Sequence, residues 1–159
     1  TPTASRRERG ENMRERGENM KATFTTTVEI DSDRVRDLLI TAFEGGSNYW
    51  CEDDLARGKT PDTPDTTKYD CWYAVYPTTG GSVTFSDREE PYVGSANDPH
   101  VSVDLAGRYV LDTAAIQRGF RTMSELHPAR LAQWTVEDYD ADDADAFLQS
   151  CIFGSVIYG

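Results

Sequence analysis

Apolar residues recur along this chain with two different periods. Val35, Leu38, Leu39, Ala42 and Phe43 fall at i, i+3, i+4, i+7 and i+8, the spacing that lines one face of a helix. Asp31-Ser32-Asp33 ahead of them supply an N-cap and first-turn acids, and Gly45-Gly46 behind them end the helix. Ile116, Phe120, Met123 and Leu126 repeat the helical spacing behind Asp112 as cap. Pro128 opens a fresh helical segment with Leu131 and Trp134 inward. A last helix starts near Asp140 and puts Ala144, Phe147, Leu148, Cys151 and Ile152 on one face, with Val156 and Ile157 extending an apolar tail. Elsewhere the period is two. Residues 22–30 are rich in β-branched side chains and predict a strand with Phe24, Val28 and Ile30 on one side. Residues 69–76 and 82–86 predict a hairpin across PTTGG, and 101–105 with 108–111 a second across Ala106-Gly107. Residues 51–68 and 87–99 read as polar loops. The sum is α+β: a small, mostly antiparallel sheet of about four or five strands packed with three or four helices. The strand order is not contained in this pattern.

The first nineteen residues stand apart. RERGENM occurs at 7–13 and again at 14–20, without the apolar a/d positions of a coiled coil. Arg-Gly-Glu is encodable by the purine-rich core of a bacterial ribosome-binding site, and Asn-Met follows. Residues 1–19 therefore read as a translated leader, duplicated once, or as a disordered arm, with Met20 or Met13 as the start. Residues 20–159 are then a single domain.

Charge sharpens the picture. The 159 residues carry a net charge of −12, with 17 Asp and 11 Glu against 13 Arg and 3 Lys. The leader holds five Arg and four Glu, so the remaining 140 residues carry −13. Such acidity argues against nonspecific nucleic-acid binding, which needs cations to displace counterions. It suits a partner with a basic surface, or a salt-adapted and soluble surface. No stretch approaches the length of a membrane span and no signal peptide is seen, so the expected location is cytoplasmic, in a host cell if the protein is viral.

The candidate chemistry is sparse. Cys51, Cys71 and Cys151 lack a CxxC, and His100 and His127 lack ligand spacing, so no metal or cofactor is expected. Within the acidic run Glu137, Asp138, Asp140, Asp142, Asp143 and Asp145, Asp138-x-Asp140-x-Asp142 starts like a calcium loop, but Asp143 replaces the turn glycine and Gln149 the bidentate glutamate. It reads instead as acids at a helix N-terminus and as an acidic surface. Glu44-Gly45-Gly46-Ser47-Asn48-Tyr49-Trp50 is the most informative segment. Its glycines free the backbone, Ser47 and Asn48 donate and accept, and Tyr49 and Trp50 offer stacking faces. It lacks the P-loop frame and lysine. It reads as a helix C-cap with core aromatics, or as a ligand- or partner-binding loop with Tyr158 as companion.

Four spaced motifs carry a resemblance. E-G-G-S-N-Y-W (44–50), L-D-x-x-x-I-Q-R-G (111–119), D-A-D-A-F-L-Q (143–149) and F-G-S-V-I-Y-G (153–159) make residues 23–159 resemble a family of small proteins of tailed phages and prophages. The resemblance implies a viral accessory context, with no reaction and no catalytic residues attached. The acidic stretch 52–68 departs from that pattern. Three functions follow as expectations. The first is an accessory protein that binds a host defence or DNA-metabolism protein through a basic surface. The second is a small-ligand or nucleotide binder using Glu44–Trp50. The third is a carboxylate enzyme pairing Glu44 with Asp140 or Asp145.

Overall fold

The computed structural model describes residues 19–62, 70–88, 99–136 and 138–159. Most of the leader, the end of the first polar loop (63–68) and most of the second (89–98) lie outside these ranges. The centre of the fold is its last helix. Asp140 caps it and Gly154 ends it in the left-handed conformation, φ +66°. This helix, Ala141–Phe153, was expected to bury one face, yet every residue from Asp143 to Phe153 is buried. A helix buried all round is a core helix. Its polar residues must therefore find partners inside the protein.

Two helices pack on it. The first, α1 (Ser32–Thr41), follows the predicted pattern, with Asp31 accepting from the Arg34 N–H and Val35, Leu38 and Leu39 inward. It runs into one wider helical turn, Ala42–Gly46, and stops at the expected glycine pair. Gly46 is required there: a Cβ on it would collide with the Ala141 carbonyl oxygen at the start of the central helix. Along the chain come β1 (Ala56–Arg57), α2 (Trp72–Val75), β2 (Val83–Phe85), β3 (Tyr109–Leu111), α3 (Thr113–Leu126) and α4 (Pro128–Trp134); the central helix is α5. α3 begins at Asp112, whose carboxylate accepts from the Ala115 N–H. It approaches α5 closely at Gly119, where a Cβ would overlap Sγ of Cys151 and lie 3.1 Å from its backbone N. Arg118 beside it donates to the Cys151 carbonyl at 2.9 and 3.2 Å. The I-Q-R-G motif is thus a helix-crossing motif: a guanidinium on a carbonyl near the end of α5, and a glycine in the contact. The side chain of Arg34 reaches the Trp134 carbonyl and ties α1 to α4.

The sheet is antiparallel with order β1-β2-β3. Val83 pairs with Leu111, Thr84 with Val110 and Phe85 with Tyr109, so Val83, Phe85, Tyr109 and Leu111 face the core together. The α+β class holds, and the described residues form three strands and five helices rather than four or five strands and three or four helices. Three differences account for this. Residues 22–30 run exposed, with Phe24 at 83% and Val28 at 42%; only Ile30 touches the core, and no strand among the described residues pairs with them. β-propensity describes a fit to a pleated, half-buried surface, which is missing here. The described part of 69–76 is helical, followed by a tight turn over Tyr76–Thr78. Trp72 and Tyr76, four apart, lie under one guanidinium, that of Arg57, at 5.3 and 5.7 Å. PTTGG therefore leads from a helix into β2 rather than between strands. The stretch read as loop also supplies β1. The second hairpin shrinks to one bridge, Val103 with Tyr109, around a turn in which the Asp104 carboxylate accepts from the N–H of Ala106 and Arg108.

Candidate functional site

The Glu44–Trp50 loop leaves α1 beside α5, and a carboxylate of α5 receives it. Asp145, 8% exposed, accepts four hydrogen bonds. Oδ1 takes Ser47 Oγ at 2.8 Å and Trp50 Nε1 at 2.7 Å; Oδ2 takes Tyr49 OH at 2.5 Å and Gln149 Nε2 at 2.9 Å. Four donors satisfy what an ionised carboxylate can accept in a buried site. Gln149, one turn further on, extends the network. Its Oε1 accepts from the N–H of Ile157 and Tyr158 at 2.9 and 2.8 Å, drawing the chain beyond α5 back along it. The Tyr158 ring then stacks on Trp50, 5.5 Å between centroids and 18° between planes. Tyr158 OH and Tyr109 OH both donate to Asp87 Oδ2, at 2.7 and 3.0 Å.

Three of the motifs that carried the resemblance thus meet at one point. E-G-G-S-N-Y-W supplies the donors, D-A-D-A-F-L-Q the acceptor and the glutamine, and F-G-S-V-I-Y-G the covering tyrosine. The arrangement is a structural lock. Trp50 is 2% exposed and packed by Tyr158, Phe153, Tyr109 and Phe85, so its indole is no stacking platform for a base. Ser47 is fully buried. Tyr49 is half exposed, but its hydroxyl is committed to Asp145; burial first, then that hydrogen bond and the Asp145 charge, push its pKa up. Both carboxylates expected to pair with Glu44 have other partners. Asp145 is saturated, and Asp140 is engaged in a capping box with Asp143, N to Oδ1 2.9 Å and N to Oδ2 3.0 Å.

The acidic run therefore divides. Asp138, Asp140 and Asp142 are exposed. Asp143 and Asp145 are not part of an acidic surface, because the central helix turns them inward. Asp143 pairs with Arg130 at 3.0 Å, and burial raises its pKa while the Asp143 N–H lowers that of Asp140. Among the described residues no group of three or more His, Cys, Asp or Glu side chains is placed to hold a metal ion. Cys51 and Cys151 are buried, and burial pushes both thiols up, away from the thiolate a nucleophile needs.

Glu44 and Asn48 belong to a different environment. They line an open cleft of about 430 Å³ whose apolar wall is Phe43, Leu55 and Tyr73. Phe43 holds Tyr73 edge-on at 5.7 Å and Phe85 at 5.3 Å, which ties the wall to the core. Tyr73 OH donates to Glu44; burial first, then that bond, push the phenol pKa up, so it remains a donor. Asp53 and Arg88 complete the lining.

No family model, no curated protein and no solved structure matches the chain.

Sequence reasoning missed Asp145 as the loop's acceptor, Gln149 as the clamp, and Asp53, Tyr73 and Arg88 as cleft residues. For the first two a signal existed. Asp145 and Gln149 stand at i and i+4 among Ala144, Phe147, Leu148 and Ile152, and two polar residues one turn apart on an apolar helix mark a buried pair. The cleft residues come from separate segments and carried no local signal.

Proposed function

We propose that the protein is a small acidic accessory protein of the phage type, acting by binding a partner protein with a basic surface. The observation that carries this reading is a groove between α1 and α2. Asp33, Asp37 and Asp70, all exposed, rim a floor made by Ile40, Ala74 and Val75. Arg36 also lines the groove, but it is held by Asp33 at 3.5 Å and by Thr78 at 3.0 Å. Carboxylates over an apolar floor suit a segment that presents Lys or Arg around an apolar anchor. The charge of −12 adds long-range steering toward such a partner. A host protein of defence or DNA metabolism is the partner class that fits a viral accessory role. Among the described residues no helix is long and apolar enough to cross a membrane.

The test is affinity capture from host lysate with the wild-type chain and with D33N/D37N/D70N. A protein retained by the wild type, released by salt and lost with the triple variant supports the reading, since screening shortens the reach of exposed charges. Equal capture by both chains overturns it.

A further inference from the structure

The cleft beside Glu44 has a charge set of its own, and it shares no lining residue with the groove of α1 and α2. Its volume, about 430 Å³, falls within the roughly 300–1,000 Å³ usual for small-molecule sites. Two carboxylates, Glu44 and Asp53, and one guanidinium, Arg88, line it with the Asn48 amide. Among the described residues Asp53, Asn48 and Arg88 make no side-chain hydrogen bond or ion pair, and Glu44 is engaged only by Tyr73. An engaged polar side chain is stabilised where it stands. Three unengaged ones around one apolar wall are instead available to a ligand.

We propose that this cleft binds a small zwitterion with two cationic groups and one carboxylate, the charge set of a free basic amino acid. Glu44 and Asp53 receive the two cations. Arg88 pairs with the carboxylate, as a guanidinium does best through its paired N–H groups. Phe43, Tyr73 and Leu55 receive the methylene stem, and the two rings give a cation over them a favourable face. The Asn48 amide donates to the carboxylate or accepts from an ammonium. Neutral or anionic ligands leave one or both carboxylates without a counter-charge and forgo those charge-assisted hydrogen bonds. The wall is pre-formed, because Phe43 is fixed by Phe85 and Tyr73 by Glu44, so little ordering cost falls on the ligand.

The experiment is titration calorimetry of the full chain with L-arginine, L-lysine and agmatine, which lacks the carboxylate. D53N and R88A are the variants; both positions are exposed, so neither threatens the fold. L-arginine and L-lysine are expected to bind. Agmatine should bind wild type about tenfold more weakly than arginine, the loss of one charge-assisted pair. R88A should bring arginine down to the agmatine level, and D53N should weaken all three ligands about tenfold. No heat from any ligand at millimolar concentration overturns the proposal. So does agmatine binding as well as arginine, or D53N binding like wild type. The thermal unfolding of each variant, unchanged from wild type, separates a lost ligand contact from a lost fold. Because D33N/D37N/D70N leaves this cleft intact, the two tests fail or succeed independently.

Discussion

Residues 44–50 form one short loop with two opposite environments. Ser47, Tyr49 and Trp50 converge on one buried carboxylate, and a tyrosine lies over the indole. Glu44 and Asn48, on the same turns, face an open cleft. The difference teaches that a loop rich in glycine, amide and aromatic groups is not one kind of object. Half of it holds the chain in place, and that half makes the other half available. The same contrast recurs in two adjacent aspartates. Asp53 stands unengaged among the described residues, while Asp54 accepts from the Ser86 N–H at 2.9 Å and pairs with Arg108 at 2.9 Å.

The comparison breaks most visibly at Asp145. Asp145→Ala leaves the Ser47 and Trp50 donors unpaired in the core and should cost roughly 3–5 kcal/mol. Urea unfolding followed by Trp fluorescence measures it. A loss below about 1 kcal/mol would mean that the loop does not depend on this acceptor.

The glycine pair gives a finer division. Gly46→Ala drives a Cβ into the Ala141 carbonyl and should cost about 1–3 kcal/mol. Gly45→Ala meets nothing within 4 Å and should stay within about 0.5 kcal/mol of wild type. Equal melting temperatures for the two variants would remove the close approach of loop and α5 from the account.

The smallest effect separates the two aspartates by pH. Burial pushes the Asp54 carboxyl up, but the hydrogen bonds from Ser86 and Arg108 together outweigh it, so its pKa lies below the usual value. A carboxylate lowered in the folded state stabilises above its unfolded pKa, about 3.9, and that contribution is lost as pH falls through the lower folded value. Asp54→Asn should therefore cost about 0.5–1 kcal/mol at pH near 7, with the gap to wild type closing as pH falls below about 4. Asp53→Asn, which removes no such bond among the described residues, should unfold like wild type at pH near 7. Chemical denaturation at neutral and acid pH reads both, and parallel curves for Asp54→Asn and wild type would disprove the linkage.

Much of the helical frame was legible because helices announce themselves locally. The caps at Asp31, Asp112 and Asp140, the stop at Gly45-Gly46 and the fresh start at Pro128 all stand where the pattern placed them. Each depends on residues within a turn of one another. The strands were less legible. Residues 22–30 have strand chemistry without a strand beside them among the described residues, and Trp72–Tyr76 have alternation but lie in a helical turn under Arg57. Strand identity depends on a distant partner, so composition alone cannot assign it. The candidate site shows the same limit. Glu44–Trp50 was singled out from its residues, but its division into a lock and a cleft wall required α5, α2 and Arg88.

By itself the sequence determined the acidic balance, the α+β class, the ends of the longer helices and the segment on which attention should fall, because these follow from side-chain type and local spacing. Only the tertiary structure decided that α5 is buried on every side, that Asp145 is spent on four donors, and that Trp50 lies under Tyr158 rather than open to a ligand. It also brought Glu44, Asn48, Asp53, Tyr73 and Arg88 around one cleft. The physical reason is that burial and partnership are properties of surfaces brought together across the chain, and no single segment carries both sides of such a contact.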